Sequence, residues 1–202
     1  FLAVVGTSGS GKSSLVRAGL IPALREGLLP GTGPPWRVAI FRPGGDPIGE
    51  LARALAAPGV LDETQGPPWE EDQLLQATLA EVTLRRSTFG LAEAVRQARL
   101  PDETHLLVVV DQFEEVLRFK REAEGRRGGE DAAAFVTLLL EASRASDLPL
   151  YVVLTMRSDY LGDCAQFRDL PETINDAQYL IPRLTREQRR EVIVSPVQVA
   201  GA

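Results

Sequence analysis

Eight residues near the start of the chain, Gly6-Thr7-Ser8-Gly9-Ser10-Gly11-Lys12-Ser13, have the types and order needed to hold a polyphosphate. Glycines at these intervals let the backbone turn so that successive N–H groups converge on one anion, and the positive end of a following helix adds to that field. A lysine at the end of such a loop reaches the β- and γ-phosphates, and the hydroxyl beside it is a magnesium ligand small enough for the first helical turn. Those roles fall to Lys12 and Ser13, with Ser14 in reach of the α-phosphate. The competing reading is a flexible Gly/Ser-rich turn with an exposed lysine. It leaves unexplained the apolar run before the loop and the helical pattern after it.

A second constellation begins where the apolar run Leu106–Val110 meets Asp111. A carboxylate at the carboxyl end of a buried strand is placed to bind magnesium through its water shell beside Ser13. The same residue would also serve as N-cap for a helix carrying Phe113 and Val116. Of Glu114 and Glu115, one is expected to orient or polarise the water that attacks a γ-phosphate, the alternative being a solvated helix face. Gln112 stands where many ATPases place the water-polarising acid; an amide orients water without taking its proton, so slow hydrolysis is expected.

The third constellation is Val152-Val153-Leu154-Thr155-Met156-Arg157-Ser158-Asp159, with its polar groups expected beyond a strand. Arg157 there would bring positive charge to a bound triphosphate, or else form a salt bridge to Asp159 or Asp111. Arg42, beyond another strand, makes a weaker case for the same role. His105 reads as a surface residue in an acidic turn, and Cys164, Trp36 and Trp69 as packing.

These groups need elements to position them. Phe1–Val5, Trp36–Phe41, Leu106–Val110 and Pro149–Thr155 are short apolar runs of the kind that form strands covered on both faces, and Tyr179–Ile181 is a short fifth. Between them lie helical patterns: Leu15, Ala18, Gly19 and Pro22; Leu51, Ala54 and Leu55 after an Asp46 cap; Leu74, Leu75, Thr78, Leu79 and Val82 within 70–86; Leu91, Val95 and Ala98 within 88–99. The last two form a helical insertion at about 61–100. Gly27–Pro35 and the charged, Gly-rich Glu122–Glu130 read as loops, and Asp131 starts a further helix. Thr185 and Gln188 have capping-box spacing at the start of a helix expected to Val194. Strands separated by helices give an α/β fold with a doubly wound parallel sheet, whose ligands lie beyond the carboxyl ends of its strands.

The 202 residues, 44% of them apolar, suit one domain. A formal net charge of −6 provides no broad field for nucleic acid or anionic lipid. The single Cys164 excludes an internal disulfide and fits a reducing, cytoplasmic setting. No segment has the length of a membrane span. The chain opens inside an apolar run without an initiator Met, and so reads as part of a longer polypeptide.

Taken together, Gly6–Ser13, Leu107-Val108-Val109-Val110-Asp111-Gln112-Phe113-Glu114-Glu115 and Leu154-Thr155-Met156-Arg157-Ser158-Asp159-Tyr160 resemble the novel STAND NTPases, signal-transduction ATPases of the AAA+/NACHT/NB-ARC kind. Arg42-Pro43-Gly44 and the tail Leu184-Thr185-Arg186-Glu187-Gln188 add to the likeness. The resemblance implies a P-loop NTPase core over 1–182, a three-layer α/β/α sandwich with a five-stranded parallel sheet ordered 5-1-4-3-2. It also implies the start of a helical lid domain over 183–202, ATP or ADP with Mg2+ as cofactors, and a switch that controls assembly with protein partners, including a nucleotide-dependent homo-oligomer. By the same likeness Asp111 holds magnesium, Glu114 and Glu115 are the acidic pair, and Arg157 is the sensing arginine. Two other readings stand beside the ATPase switch. One is a nucleotide-dependent scaffold with negligible turnover; the other is a small-molecule kinase with Arg183, Arg186, Arg189 and Arg190 as a basic lid.

Overall fold

A computed structural model describes residues 1–28, 35–61, 70–122, 126–182, 185–188 and 190. Trp69, Arg183, Arg189 and most of the expected lid region lie outside them.

Five parallel strands make one sheet: β1 (Leu2–Gly6), β2 (Trp36–Phe41), β3 (His105–Val110), β4 (Leu150–Arg157) and β5 (Gln178–Leu180). Their order, β2-β3-β4-β1-β5, is the expected 5-1-4-3-2 read from the other edge. The central strands are continuous apolar runs because both of their faces are covered. In register, Val108 lies between Ala39 and Val152, and Ala3 lies beside Leu154. Alternation along each strand then divides the core in two. One face carries Ala3, Val5, Val108, Val110, Leu154 and Met156, and is packed by Leu51, Leu91, Val116 and Phe135 from the helices Pro47–Leu55, Gly90–Ala98, Glu114–Glu122 and Arg126–Arg144. The other carries Val4, Leu107, Val109 and Val153 against Val16, Ile21 and Leu24 of the helix that follows β1.

The caps form as their chemistry requires. Asp46 Oδ1 accepts from the Gly49 amide at 3.1 Å, and the Thr185 and Gln188 side chains bond each other's amides at 3.2 and 2.9 Å.

Four expectations need correction. The helix after the glycine-rich loop runs as α-helix Lys12–Ser14, π-helix Leu15–Leu20 and α-helix Ile21–Arg25, with the Ile21 amide reaching back to Val16. That wide turn precedes Pro22, which has no amide hydrogen to offer a regular helix, and it rotates the buried face. Val16, Ile21 and Leu24 point inward rather than the expected stripe, and Leu15 is 43% exposed. In helix Glu70–Arg86 the buried side is Ala77 and Leu84, whereas Leu74, Leu75, Leu79 and Val82 face solvent. Of the region read as a loop from Glu122 to Glu130, the described residues are helical: one helix ends at Glu122 and the next, Arg126–Arg144, begins five residues before Asp131, while positions 123–125 lie outside the described residues. Finally, β4 runs two residues past Thr155, so Arg157 ends the strand instead of following it.

Candidate functional site

The carboxyl ends of β1, β3 and β4 meet at one edge of the sheet, and the phosphate-loop residues sit over them. Gly9 and Gly11 have φ of 72° and 86°, values that side chains resist. At Gly6 an added Cβ would stand 2.6 Å from Ser10 Oγ, so any larger residue there would displace that hydroxyl. Ser10 Oγ itself is buried without a hydrogen-bond partner among the described residues, a polar atom turned into the loop. The Lys12 ammonium donates to the carbonyls of Gly6 (3.0 Å) and Thr7 (2.8 Å), folding back across the loop. Burial holds it below the ordinary lysine pKa, and Glu114 is the largest opposing charge.

Asp111 is the hub. Its side chain is 1% exposed. Oδ1 accepts from Ser13 Oγ at 2.6 Å and from Thr155 Oγ1 at 2.8 Å, and Oδ2 accepts from Arg17 Nη2 at 3.2 Å. Arg42 Nε stands 3.9 Å from Oδ2. Burial alone would raise this carboxyl; the hydrogen bonds from Ser13, Thr155 and Arg17 outweigh it and hold the group below the usual aspartate range. Thr155 also ties the next turn, since its Oγ1 accepts from the Gln112 amide (2.9 Å) and its carbonyl from the Phe113 amide (2.9 Å). Gln112 has φ of 62°, a left-handed conformation held by that bond.

The two glutamates part company. Glu114 is 7% exposed and lies on the loop side, its Oε2 at 3.4 Å from the Arg157 amide. Glu115 turns to the loop after β2, accepting from the Gly44 amide at 3.0 Å. With the Gln112 amide oriented to suit its neighbours, its NH2 donates to Glu115 Oε1 (3.0 Å) and its oxygen accepts from Arg42 Nη2 (3.3 Å). The Arg157 guanidinium is paired with Asp159 at 3.1 and 2.6 Å and stands 5.4 Å from the centre of the Tyr160 ring.

The structure thus gathers Gly6 to Ser13, Asp111, Glu114 and Arg157 at one edge, with Glu115 turned away. Two participants escaped the sequence reading. Thr155 is a lone hydroxyl in a buried apolar run, which must find a partner, and that need was its signal. Arg17 follows Ser13 by four residues and so shares its helix face. His105 begins β3, half-buried, its ring stacked 4.8 Å from Trp36 at the far end of the sheet. Cys164 is buried beside Met156, and burial pushes its thiol up to about 11.

The donor set suits a hard divalent cation with a polyphosphate: a hydroxyl and a carboxylate touching, a lysine beside them, and a turn with two glycines at positive φ.

The sequence model of a family described as Novel STAND NTPase 1 matches residues 1–202. No curated protein matches. Among solved structures, the ORC2 protein of Aeropyrum pernix, in ADPNP–ADP complexes, aligns over 98% of this chain and 45% of its own, at 15% identity and a TM-score of 0.58. The ORC1 protein of the same organism, in complex with DNA, aligns over 98% and 43%, at 16% identity and a TM-score of 0.55. The chain therefore spans less than half the length of these neighbours, and the likeness is one of fold.

Proposed function

The chain belongs to the novel STAND NTPase family, matched over its whole length, and on that premise we propose that it binds ATP with Mg2+, hydrolyses it slowly, and uses the difference between triphosphate and diphosphate to control assembly with protein partners. The observation that carries this reading is the junction at Asp111, where Ser13 of the loop helix and Thr155 of β4 bond one carboxylate oxygen at 2.6 and 2.8 Å. Ser13 and Asp111 would hold the magnesium ion, which neutralises charge on the phosphates when bound. Lys12 leaves the Gly6 and Thr7 carbonyls for the β- and γ-phosphates, and the loop amides with Ser10 and Ser14 line the remainder. Glu114, buried beside Lys12, orients the attacking water; Glu115 tethers the loop after β2 instead. Arg157 exchanges Asp159 for the γ-phosphate, and that exchange reports which nucleotide is present.

Thermal-shift titration with ATP, ADP, GTP and GDP, with and without magnesium, tests the reading. A rise in Tm with a magnesium triphosphate that the Lys12→Ala chain lacks is the expected outcome. A folded protein whose Tm none of the four moves overturns it.

One observation favours a second reading, a scaffold that binds nucleotide with negligible turnover. The residue directly after Asp111 is an amide, and Gln112 is already engaged by Arg42 and Glu115. Single-turnover hydrolysis no faster in the parent chain than in its Glu114→Gln variant would select the scaffold.

A further inference from the structure

Arg17 meets Asp111 from the same side as Ser13. The two residues are four apart, so both side chains leave one face, and they bracket a single carboxylate. Ser13 Oγ donates to Oδ1 at 2.6 Å and Arg17 Nη2 to Oδ2 at 3.2 Å. Thr155 adds a second bond to Oδ1 at 2.8 Å. The ion pair is unequal in its setting: Asp111 is 1% exposed, whereas the Arg17 side chain is 49% exposed and reaches in from solvent.

That inequality bears on how a cation comes to Asp111. Arg42 is the other guanidinium beside it, but its Nε is 3.9 Å away and its Nη2 donates to the Gln112 oxygen at 3.3 Å. Arg17 is thus the charge in direct contact with the oxygen that Ser13 and Thr155 leave to it. Around the pair, Glu115 is turned to Gly44 and Arg157 is held by Asp159, so Lys12, Arg17 and Arg42 face Asp111 and Glu114. The local balance is positive. A divalent ion arriving alone meets an arginine already on the carboxylate and further positive groups around it; the same ion carried on a polyphosphate brings the negative charge that offsets them. A buried carboxylate needs a partner in any case. A half-exposed arginine, whose head returns to water readily, is a partner suited to exchange.

We infer that Arg17 is the resident cation of Asp111, a specificity-determining residue that keeps free divalent ions off the carboxylate and yields to magnesium only when a nucleotide brings it. The inference rests on the nucleotide reading for the arrival of the ion with phosphate, and adds to it an order of binding. A purely structural Arg17–Asp111 pair would predict a loss of stability on mutation and no gain of metal binding.

The probe is Mn2+ alone, an oxygen-binding stand-in for magnesium, followed by its EPR signal and by Tm without nucleotide. Arg17→Met, which keeps an unbranched stem and drops the charge, should bind Mn2+ at least about tenfold more tightly than the parent. Arg17→Lys, which keeps the charge, should stay within about threefold of the parent. Adding Asp111→Asn to Arg17→Met should abolish the gain, and Arg42→Gln, at the longer distance, should give a smaller one. With ATP present, the parent and Arg17→Met should draw to within about threefold of each other in Mn2+ affinity. Arg17→Met leaves Asp111 without its charged partner, so its Tm should fall in EDTA and recover with Mn2+, a readout that survives in a weakened chain. The assays with metal alone need no nucleotide, so a parent Tm that no nucleotide moves strikes the nucleotide reading separately. Equal Mn2+ affinity in the parent and Arg17→Met, a gain that persists in the Asp111→Asn background, or an equal gain from Arg42→Gln would each overturn the role given to Arg17.

Discussion

The strands β2, β3 and β4 end very differently at their two poles. At the carboxyl pole, Asp111 and Thr155 bond each other, Ser13, Arg17 and the Gln112 amide. At the amino pole, Trp36 stacks on His105 and Tyr151 tilts against both, with ring centroids 4.8 to 5.8 Å apart. There, Trp36 Nε1 and His105 Nδ1 are buried without a partner among the described residues. A parallel sheet aims the ends of all its strands at the loops on one side, so chemistry collects there and the opposite side is left to packing. Mutations should therefore act on nucleotide at one pole and on stability alone at the other.

The largest effect that would break this contrast is on binding. Lys12→Ala is expected to weaken ATP at least about 100-fold in calorimetric titration while leaving the Tm of the free protein within a few degrees. An equal loss of affinity from a substitution at the amino pole would abolish the distinction. Next comes turnover, which separates the paired acids within the carboxyl pole. Glu114→Gln should lower single-turnover hydrolysis about 100-fold, against about 3-fold or less for Glu115→Gln, whose carboxylate is committed to Gly44.

Stability effects follow. Thr155→Val keeps the shape of β4 but removes a donor from Asp111 and an acceptor from Gln112, and should cost about 2 kcal/mol in denaturant unfolding. His105→Phe retains the ring stack and deletes the unpartnered Nδ1. It should stay within about 1 kcal/mol of the parent, with ATP affinity unchanged. The smallest effect is at Cys164. Its thiol is raised from 9.0 to about 11 in the fold, so the unfolded chain loses this proton first as pH rises. The contribution to stability is complete below pH 9 and is lost on the way to about 11, and a Cys164→Ala chain should lack that part of the alkaline decline in Tm.

What could be read from residues alone follows the same physics. Buried parallel strands announce themselves as β-branched runs, and the five strands fell within two residues of their observed ends. The turn between β1 and its helix was equally plain, because Gly9 and Gly11 take φ of 72° and 86°, which other residues resist. Helical faces were harder. One π-turn before Pro22 rotated the inward side of its helix, a change of phase that no periodic pattern reveals. Helix Glu70–Arg86 has apolar residues on two sides, and composition does not say which side the rest of the chain covers. Pairings across long separations were hidden as well. Nothing in the spacing of Arg17, Asp111 and Thr155 places them in contact; only the sheet order does, by setting β3 and β4 side by side with β1 next to them.

The Asp46 carboxylate has a further consequence. One of its oxygens takes both the Gly49 amide at 3.1 Å and Arg85 at 3.2 Å, immediately after the short span that carries Arg42 and Gly44. Asp46 is therefore held from two directions, directly after the residues whose amide at Gly44 meets Glu115. Asp46 thus joins the first turn of helix Pro47–Leu55 to the last turn of helix Glu70–Arg86, and a substitution there would loosen two helices at once.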